Sequence, residues 1–342
     1  MQYIHNTLMA LEAGPAQRFG RLVMVPLMAP GETAAANEPD YLTLPDALEC
    51  EQARVTEVSE QGNVPELAFE NLARDRDVLL LDGEELIGAK QNRILNLTIL
   101  VGAGARVKIP VSCVEQGRWS RMSEAFRASD RALFADARAA KMRQVNHSMR
   151  TSGSRQADQG DVWRRVAEKA EALQVESRTS AMHDVFESRD AELRHYAQAF
   201  KALPRQVGAV FIVEEGGARR PGAPALAGLE VFDAAATFAR TLPKLIGTFA
   251  LEALVRGDAP AAAPAGDDAA RHAAHAAHVA AQLVADVARA VPDRFKALGE
   301  GEDLRITSPD LVGAGLVARG RLVHLAAYRH SSRAEVRRGP LH

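Results

Sequence analysis

RILNLTILVGAGARVKIPVSCVE, running from Arg93 to Glu115, is two apolar runs separated by a glycine-rich break. In a strand every second side chain turns to the same face. Leu95, Leu97, Ile99 and Val101 take odd positions in the first run, and Val107, Ile109, Val111 and Cys113 take them in the second. Asn96 and Thr98 fall on the other face, with Leu100 and Val114 as its apolar exceptions. The pattern predicts an antiparallel hairpin turning at Gly102–Ala105. Residues opposite one another share a face, so odd must pair with odd and the loop must hold an odd number of residues. Five loop residues set Arg93 against Glu115; three set Gln91 against Glu115 and Arg93 against Cys113. In either register the inward face ends in Arg93 on one strand and Glu115 on the other.

Around this hairpin the first third reads as strands: Arg21–Leu27, Ala53–Ser59, Val64–Asn71 and Asp77–Gly83, with a short helix at Pro45–Glu49. Helical spacing follows from Met122 to about Arg150, over Asp161–Leu173 and over Ala181–Phe200, with Thr179 or Ser180 as a cap. Gln206–Val213 and Ala225–Phe232 return to strand, joined through a loop EEGGARRPGAP. A helix then spans Ala234–Arg256, and the strands of EDLRITSPDLVGAGLVARGRLVHLAAYR follow with a turn at Ala318–Arg321. Strands, helices and strands again predict an α+β fold rather than a doubly wound sheet. One domain is expected over residues 1–256 and 296–330. Residues 257–278 read as a flexible Pro/Ala-rich insertion leading into a helix to about 291, and 331–342 as a frayed tail.

Inward charges are expensive to desolvate unless they are paired or bind something. A salt bridge closing the end of the sheet would satisfy Arg93 and Glu115. The flanking segments GAKQNR and CVEQGRW, however, bring more polar and planar groups than one bridge uses: Lys90, Gln91, Asn92, Gln116, Arg118 and Trp119. Arg93 and Arg118 suit phosphate, Lys90 offers a point charge, Trp119 a stacking surface, and Asn92 and Gln116 a base edge. Glu115, or Glu84 in the acidic turn DGEE (Asp82–Glu85), is the candidate general acid/base. A turn of acids between strands is more often simply solvated. Gly88 and Gly117 would let a ligand approach the backbone.

The remaining features narrow the class. A formal charge of −2 over 342 residues argues against a dedicated nucleic-acid binder. Residues 118–150 carry eight Lys/Arg against three Asp/Glu, which reads as a solvated helix face. The cysteines Cys50 and Cys113 form no framework and fit a reducing compartment, with Cys113 a buried thiol. His272, His275 and His278 step around a helix without a carboxylate, so no metal is expected, and no motif names a cofactor. No apolar run approaches the roughly 18 residues that span a bilayer. A cytoplasmic protein is the expectation, with oligomeric state open.

DGEELIGAKQNRILN, PVSCVEQGRW, SGSRQADQGDVW, SRTSAMHDVFE, QVGAVF and LEVFD occur in this order. Together they resemble the ARG and Rhodanese-Phosphatase-superfamily-associated protein domain family, from the N-terminal strands to about Tyr328. The resemblance implies a role near ADP-ribose or other NAD-derived nucleotides and carries over no catalytic residues. The leading expectation is therefore a hydrolase or transferase acting on, or a protein binding, a phosphorylated ribonucleotide derivative. The alternative is a non-catalytic ligand-sensing or protein-interaction module whose polar cluster is structural.

Overall fold

The computed structural model describes residues 2–31, 38–59, 63–120, 122–215, 224–257 and 267–330. In chain order it begins α1 (Gln2–Ala10), β1 (Glu12–Ala13), β2 (Gln17–Phe19), β3 (Leu22–Met28), β4 (Tyr41–Thr43) and α2 (Leu44–Glu49). The strand-rich part continues with β5 (Ala53–Glu57), β6 (Glu66–Asn71), β7 (Asp77–Leu80), β8 (Glu84–Gly88), β9 (Arg93–Leu95), β10 (Ile99–Val101), β11 (Arg106–Cys113) and β12 (Phe126–Ala132). Helices α3 (Ala135–Ser152), α4 (Gln159–Ala172), α5 (Met182–Ser188) and α6 (Asp190–Ala199) come next. The chain returns to strand in β13 (Gln206–Glu214) and β14 (Pro224–Phe232), passes through α7 (Ala235–Val255) and α8 (Asp267–Arg289), and ends on β15 (Asp293–Lys296), β16 (Glu302–Thr307), β17 (Leu311–Ala318) and β18 (Arg321–His330). The fold is α+β, as expected. Residues 216–223 of the expected loop, 258–266 of the expected insertion and the tail 331–342 lie outside the described residues.

The largest sheet has the order β1-β3-β13-β14-β18-β17-β16-β15, with β2 also on β3. Alternation in β13 sends Phe211 to one face, among Phe249, Tyr328, Met142 and Leu193, and Val210 to the other. There Val210 meets Leu229, Leu325, and Ile4, Leu8, Leu283 and Val287 from α1 and α8. A second sheet, β12-β8-β9-β11-β6-β5, nearly closes on itself, because Thr56 in β5 bridges to Ala125 just ahead of β12. Val55, Leu67, Phe69, Leu86, Leu95, Ile109, Val111 and Phe126 pack together on its inward face. The short sheet β10-β7-β4 completes the strands.

The structure corrects the single long hairpin. β9 pairs with β11 in the register Arg93↔Cys113, Ile94↔Ser112 and Leu95↔Val111, which is the three-residue alternative. Beyond Asn96 the two runs part: β10 joins β7, and Arg106–Pro110 joins β6. Pro110 sits at the parting. Its carbonyl accepts from Asn96 N at 3.0 Å, but it has no N–H to return a bond, so the ladder ends there.

The helix expected from Met122 also begins later, after β12. Phe126, Ser129 and Ala132 are buried at steps of three, which imitates a helix. The cause is a bulge: between Ala128↔Leu86 and Ala132↔Glu84, β12 advances four residues while β8 moves two. The expected helix Ala181–Phe200 is two helices meeting at Arg189. Its N-terminus is held by Ser177, whose Oγ accepts from Ala181 N at 2.9 Å, rather than by Thr179 or Ser180.

A buried ionic cluster ties the two larger sheets together. Arg138 on α3 donates to Asp82 at 2.9 Å and to Glu230 on β14 at 2.6 Å. Lys141, one turn on, bonds Asp82 and the Leu95 carbonyl. His324 and Tyr328 on β18 reach Glu230 at 3.0 and 2.8 Å. Asp82, Glu84 and Glu85, expected in solvent, are 3, 4 and 1 % exposed. Burial pushes the Asp82 and Glu230 carboxyls up, but Lys141 and Arg138 for the one, and Arg138 and His324 for the other, hold both below the usual range. Lys141 is itself pushed down to about 8 by its burial, against the pull of Asp82. Gly83 makes room for this: a Cβ there would stand 2.9 Å from Arg138 Cδ, at a φ of +82°. Replacing Arg138 by Met leaves Glu230 and Asp82 short of their shared cation. Urea unfolding should show a loss of about 3–5 kcal/mol; a loss under about 1 kcal/mol means the clamp is not what joins the sheets.

Candidate functional site

The polar cluster expected at the end of the hairpin forms where three chain segments meet. Glu115 follows β11, Gly88–Asn92 leads into β9, and Ser177–Ala181 precedes α5. Val114 N donates to Asn92 O at 3.1 Å, Gly117 N to Thr179 O at 2.8 Å, and Met182 N to Val114 O at 2.8 Å. Gly117 is needed for this: a Cβ there would lie 2.9 Å from Thr179 Cα. A Cβ on Gly88 would lie 2.6 Å from Ser123 Oγ, so both glycines admit the chain's own backbone and side chains at these points.

Glu115 is 6 % exposed and its carboxylate accepts four hydrogen bonds. Arg118 Nε and Nη2 donate at 2.8 and 2.6 Å, Asn92 N at 3.1 Å and Thr179 Oγ1 at 3.1 Å. Arg118 Nη2 also reaches Asn92 Oδ1 at 3.1 Å, and its Nη1 reaches the carbonyls of Ala89 and Ser120 at 3.0 and 3.1 Å. Every N–H of Arg118 is thereby directed at the protein. The salt bridge at this corner joins Glu115 to Arg118, not to Arg93. Burial raises the Glu115 carboxyl, but the Arg118 and Asn92 hydrogen bonds outweigh it and hold the group below its ordinary range.

Arg93 is 0 % exposed. Its Nη1 donates to Gln91 Oε1 at 3.1 Å, and Gln91 Nε2 in turn donates to the Glu115 carbonyl at 2.9 Å. Arg93 Nε and Nη2 have no hydrogen-bond partner among the described residues. The Trp119 ring, half exposed, covers this guanidinium at 5.9 Å and the Lys90 ammonium at 5.3 Å. Desolvation lowers the Arg93 pKa, and the nearby Cys113, Glu57 and Glu115 partly restore it. Cys113 shares the inward face with Arg93; burial pushes its thiol up, and Arg93 draws it partly back. The Cys113 backbone N and O are both bonded, at 2.8 Å each, by the side-chain amide of Gln159.

The structure thus brings Lys90, Gln91, Asn92, Arg93, Glu115, Arg118 and Trp119 together. Gln116 is exposed and takes no part in the hydrogen bonds of the cluster. Glu84 stands apart, with Lys244 at 2.6 Å on one oxygen and Leu81 N at 3.0 Å on the other. The basic run 118–150 is no solvated helix face: Arg118, Arg131, Arg138, Lys141 and Arg150 all have carboxylate partners. Arg143, His147 and Arg150 line a hollow of about 810 Å³ beside the SGSR segment, away from Arg93. A second hollow, of about 650 Å³, opens between α2, β5 and β12.

Two groups escaped the sequence reading. His183 at the start of α5 lies 3.4 Å from Glu85, and that hydrogen bond raises the imidazole above its ordinary value despite partial burial. Glu57, at the end of β5, has a buried Oε2 with no hydrogen-bond partner among the described residues. Its odd position, in step with Ala53 and Val55, would have placed it inward by the parity rule applied to Arg93 and Glu115.

Because the folded value of Glu115 lies below the unfolded one near 4.5, its stabilisation is complete above that pH and fades as pH falls through the folded value. Glu115→Gln should therefore be less stable than the native protein in urea at about pH 7, with the gap narrowing by about pH 3. A gap that stays constant with pH would show that the charge of Glu115 contributes nothing.

The model of the ARG and Rhodanese-Phosphatase-superfamily-associated Protein domain matches residues 10–328, and the chain belongs to this family. No curated protein and no solved structure matches it. No helix among the described residues is long and apolar enough to cross a membrane.

Proposed function

We propose that this member of the ARG and Rhodanese-Phosphatase-superfamily-associated Protein domain family binds a phosphorylated ribonucleotide derivative of the ADP-ribose type at the Arg93 end of the six-stranded sheet. The observation that carries the reading is Arg93 itself: a guanidinium fully withdrawn from solvent, with two nitrogen groups lacking an acceptor among the described residues. Leaving such donors unmet costs about 1–3 kcal/mol or more for a charged group. Chains keep that kind of deficit where a ligand relieves it. An anionic group at Arg93 and Lys90, with a flat ring against Trp119, uses the groups gathered there. The family's name, which joins it to the rhodanese-phosphatase superfamily, is compatible with phosphorylated ligands.

Within this reading Glu115 and Arg118 are the frame. Four hydrogen bonds hold Glu115 ionised and turned into the protein, and Arg118 has no N–H left for phosphate, so binding is supported better than turnover. A purely structural cluster, serving a protein-interaction module, would account for the saturated Glu115–Arg118 pair. It gives no account of Arg93.

A thermal-shift panel of ADP-ribose, AMP, ribose 5-phosphate and pyrophosphate tests the proposal. ADP-ribose at 100 times its dissociation constant should stabilise the native protein by about 2.7 kcal/mol. Arg93→Met should abolish that shift while the unliganded variant stays within about 1 kcal/mol of the native protein or exceeds it, since an unmet charge has been removed. A native protein indifferent to the whole panel, or an Arg93→Met variant that responds as strongly, overturns the reading. Product analysis after incubation with ADP-ribose separates a binder from a hydrolase or transferase.

A further inference from the structure

Resting on that reading, we infer that Glu57 is a second ligand-binding residue of the same site, and that it selects for a ligand carrying a hydroxyl donor beside its anionic group. Parity places Glu57 inward: it stands opposite Leu67 in β6, and Leu67 opposite Ile109 in β11, both fully buried on the inward face. Its Oε1 is reached by Lys90 N at 3.4 Å, at the long end for a hydrogen bond. Its Oε2 is buried without a hydrogen-bond partner among the described residues, as are Arg93 Nε and Nη2. Lys90, whose backbone N meets Glu57, and Arg93 both lie against the Trp119 ring, at 5.3 and 5.9 Å, and the Glu57 charge is among those that raise the Arg93 pKa, yet no hydrogen bond joins the Glu57 and Arg93 side chains among the described residues. Unmet donors and an unmet acceptor therefore lie on either side of Lys90 at one end of the six-stranded sheet.

The chemistry of the missing partner follows from this pairing. A phosphate dianion accepts from Arg93 but has no proton for Glu57, and its charge is repelled by the carboxylate. A hydroxyl satisfies both, donating to Glu57 Oε2 while accepting from Arg93. A ribose places such hydroxyls near a phosphate on one rigid ring. Arg93 then spans the two: one free nitrogen group on the sugar, the other toward the phosphate that Lys90 shares. A site built to bond a hydroxyl also rejects the analogue lacking it, because the carboxylate is then left desolvated and unpaired.

The test uses the full chain and isothermal titration with ADP-ribose, its 2′,3′-dideoxyribose analogue and pyrophosphate, for the native protein, Glu57→Ala and Glu57→Gln. The native protein should bind ADP-ribose at least about tenfold more tightly than either of the other two. Glu57→Ala should bring the three affinities to within about threefold by weakening ADP-ribose and strengthening pyrophosphate. Glu57→Gln keeps an acceptor oxygen without the charge; it should retain part of the preference, and it decides the matter if the alanine variant does not fold. A native protein that binds ADP-ribose and pyrophosphate alike, or Glu57 variants that keep the full preference, overturns the Glu57 assignment and leaves the anion site standing. A native protein that binds none of the three overturns both.

Discussion

The contact on which the rest of the molecule depends is the fork of Arg138 between Asp82 and Glu230. Asp82 belongs to the turn that launches β8, and so to the smaller sheet; Glu230 sits in the middle of β14, in the larger one. The guanidinium between them is 2 % exposed, and no apolar side chain could meet both carboxylates. Because β8 is hydrogen-bonded to β9, the clamp on Asp82 also fixes where Arg93 begins its strand. Lys141 reinforces this by holding the Leu95 carbonyl at 2.7 Å. The position of the polar corner is thus set from the far end of the same strand.

Simple alternation carried much of the fold and part of the site. It placed Arg93 and Glu115 at one inward corner and offered, as one of two registers, the pairing that β9 and β11 adopt. It failed where the backbone departs from a regular ladder. A bulge in β12 spaces Phe126, Ser129 and Ala132 like a helix, and nothing in the residue types distinguishes the two. Pro110 was visible as a residue without a donor, yet the change of partner strand it permits depends on β6 and β7 competing for the freed edges. The charges were harder still. Arg138 and Lys141 resemble surface helix residues until Asp82, and for Arg138 also Glu230 some ninety residues later, are known to lie against them. Glu57 went unread although it needed no such distant information; its parity with Val55 would have been enough.

Arg93 and Arg118 show how one corner assigns opposite roles to the same side-chain type. Arg118 is saturated and anchors a loop to two strands. Arg93, more deeply buried, is left with two nitrogen groups unmet among the described residues, and the surrounding Gln91–Glu115–Asn92 bonds hold it there. The rigidity of the Arg118–Glu115 pair is what keeps the loop around Arg93 in place.

Gln159 has a consequence for the protein in a crowded solution. At Cys113, β11 has left β6 behind, and one edge of its backbone would be open to any passing extended segment. The glutamine amide offers a carbonyl and an N–H in the arrangement of a peptide group and occupies that edge. A side chain on a helix thereby stands in for a neighbouring strand, sealing a point from which intermolecular stacking and fibril growth could start.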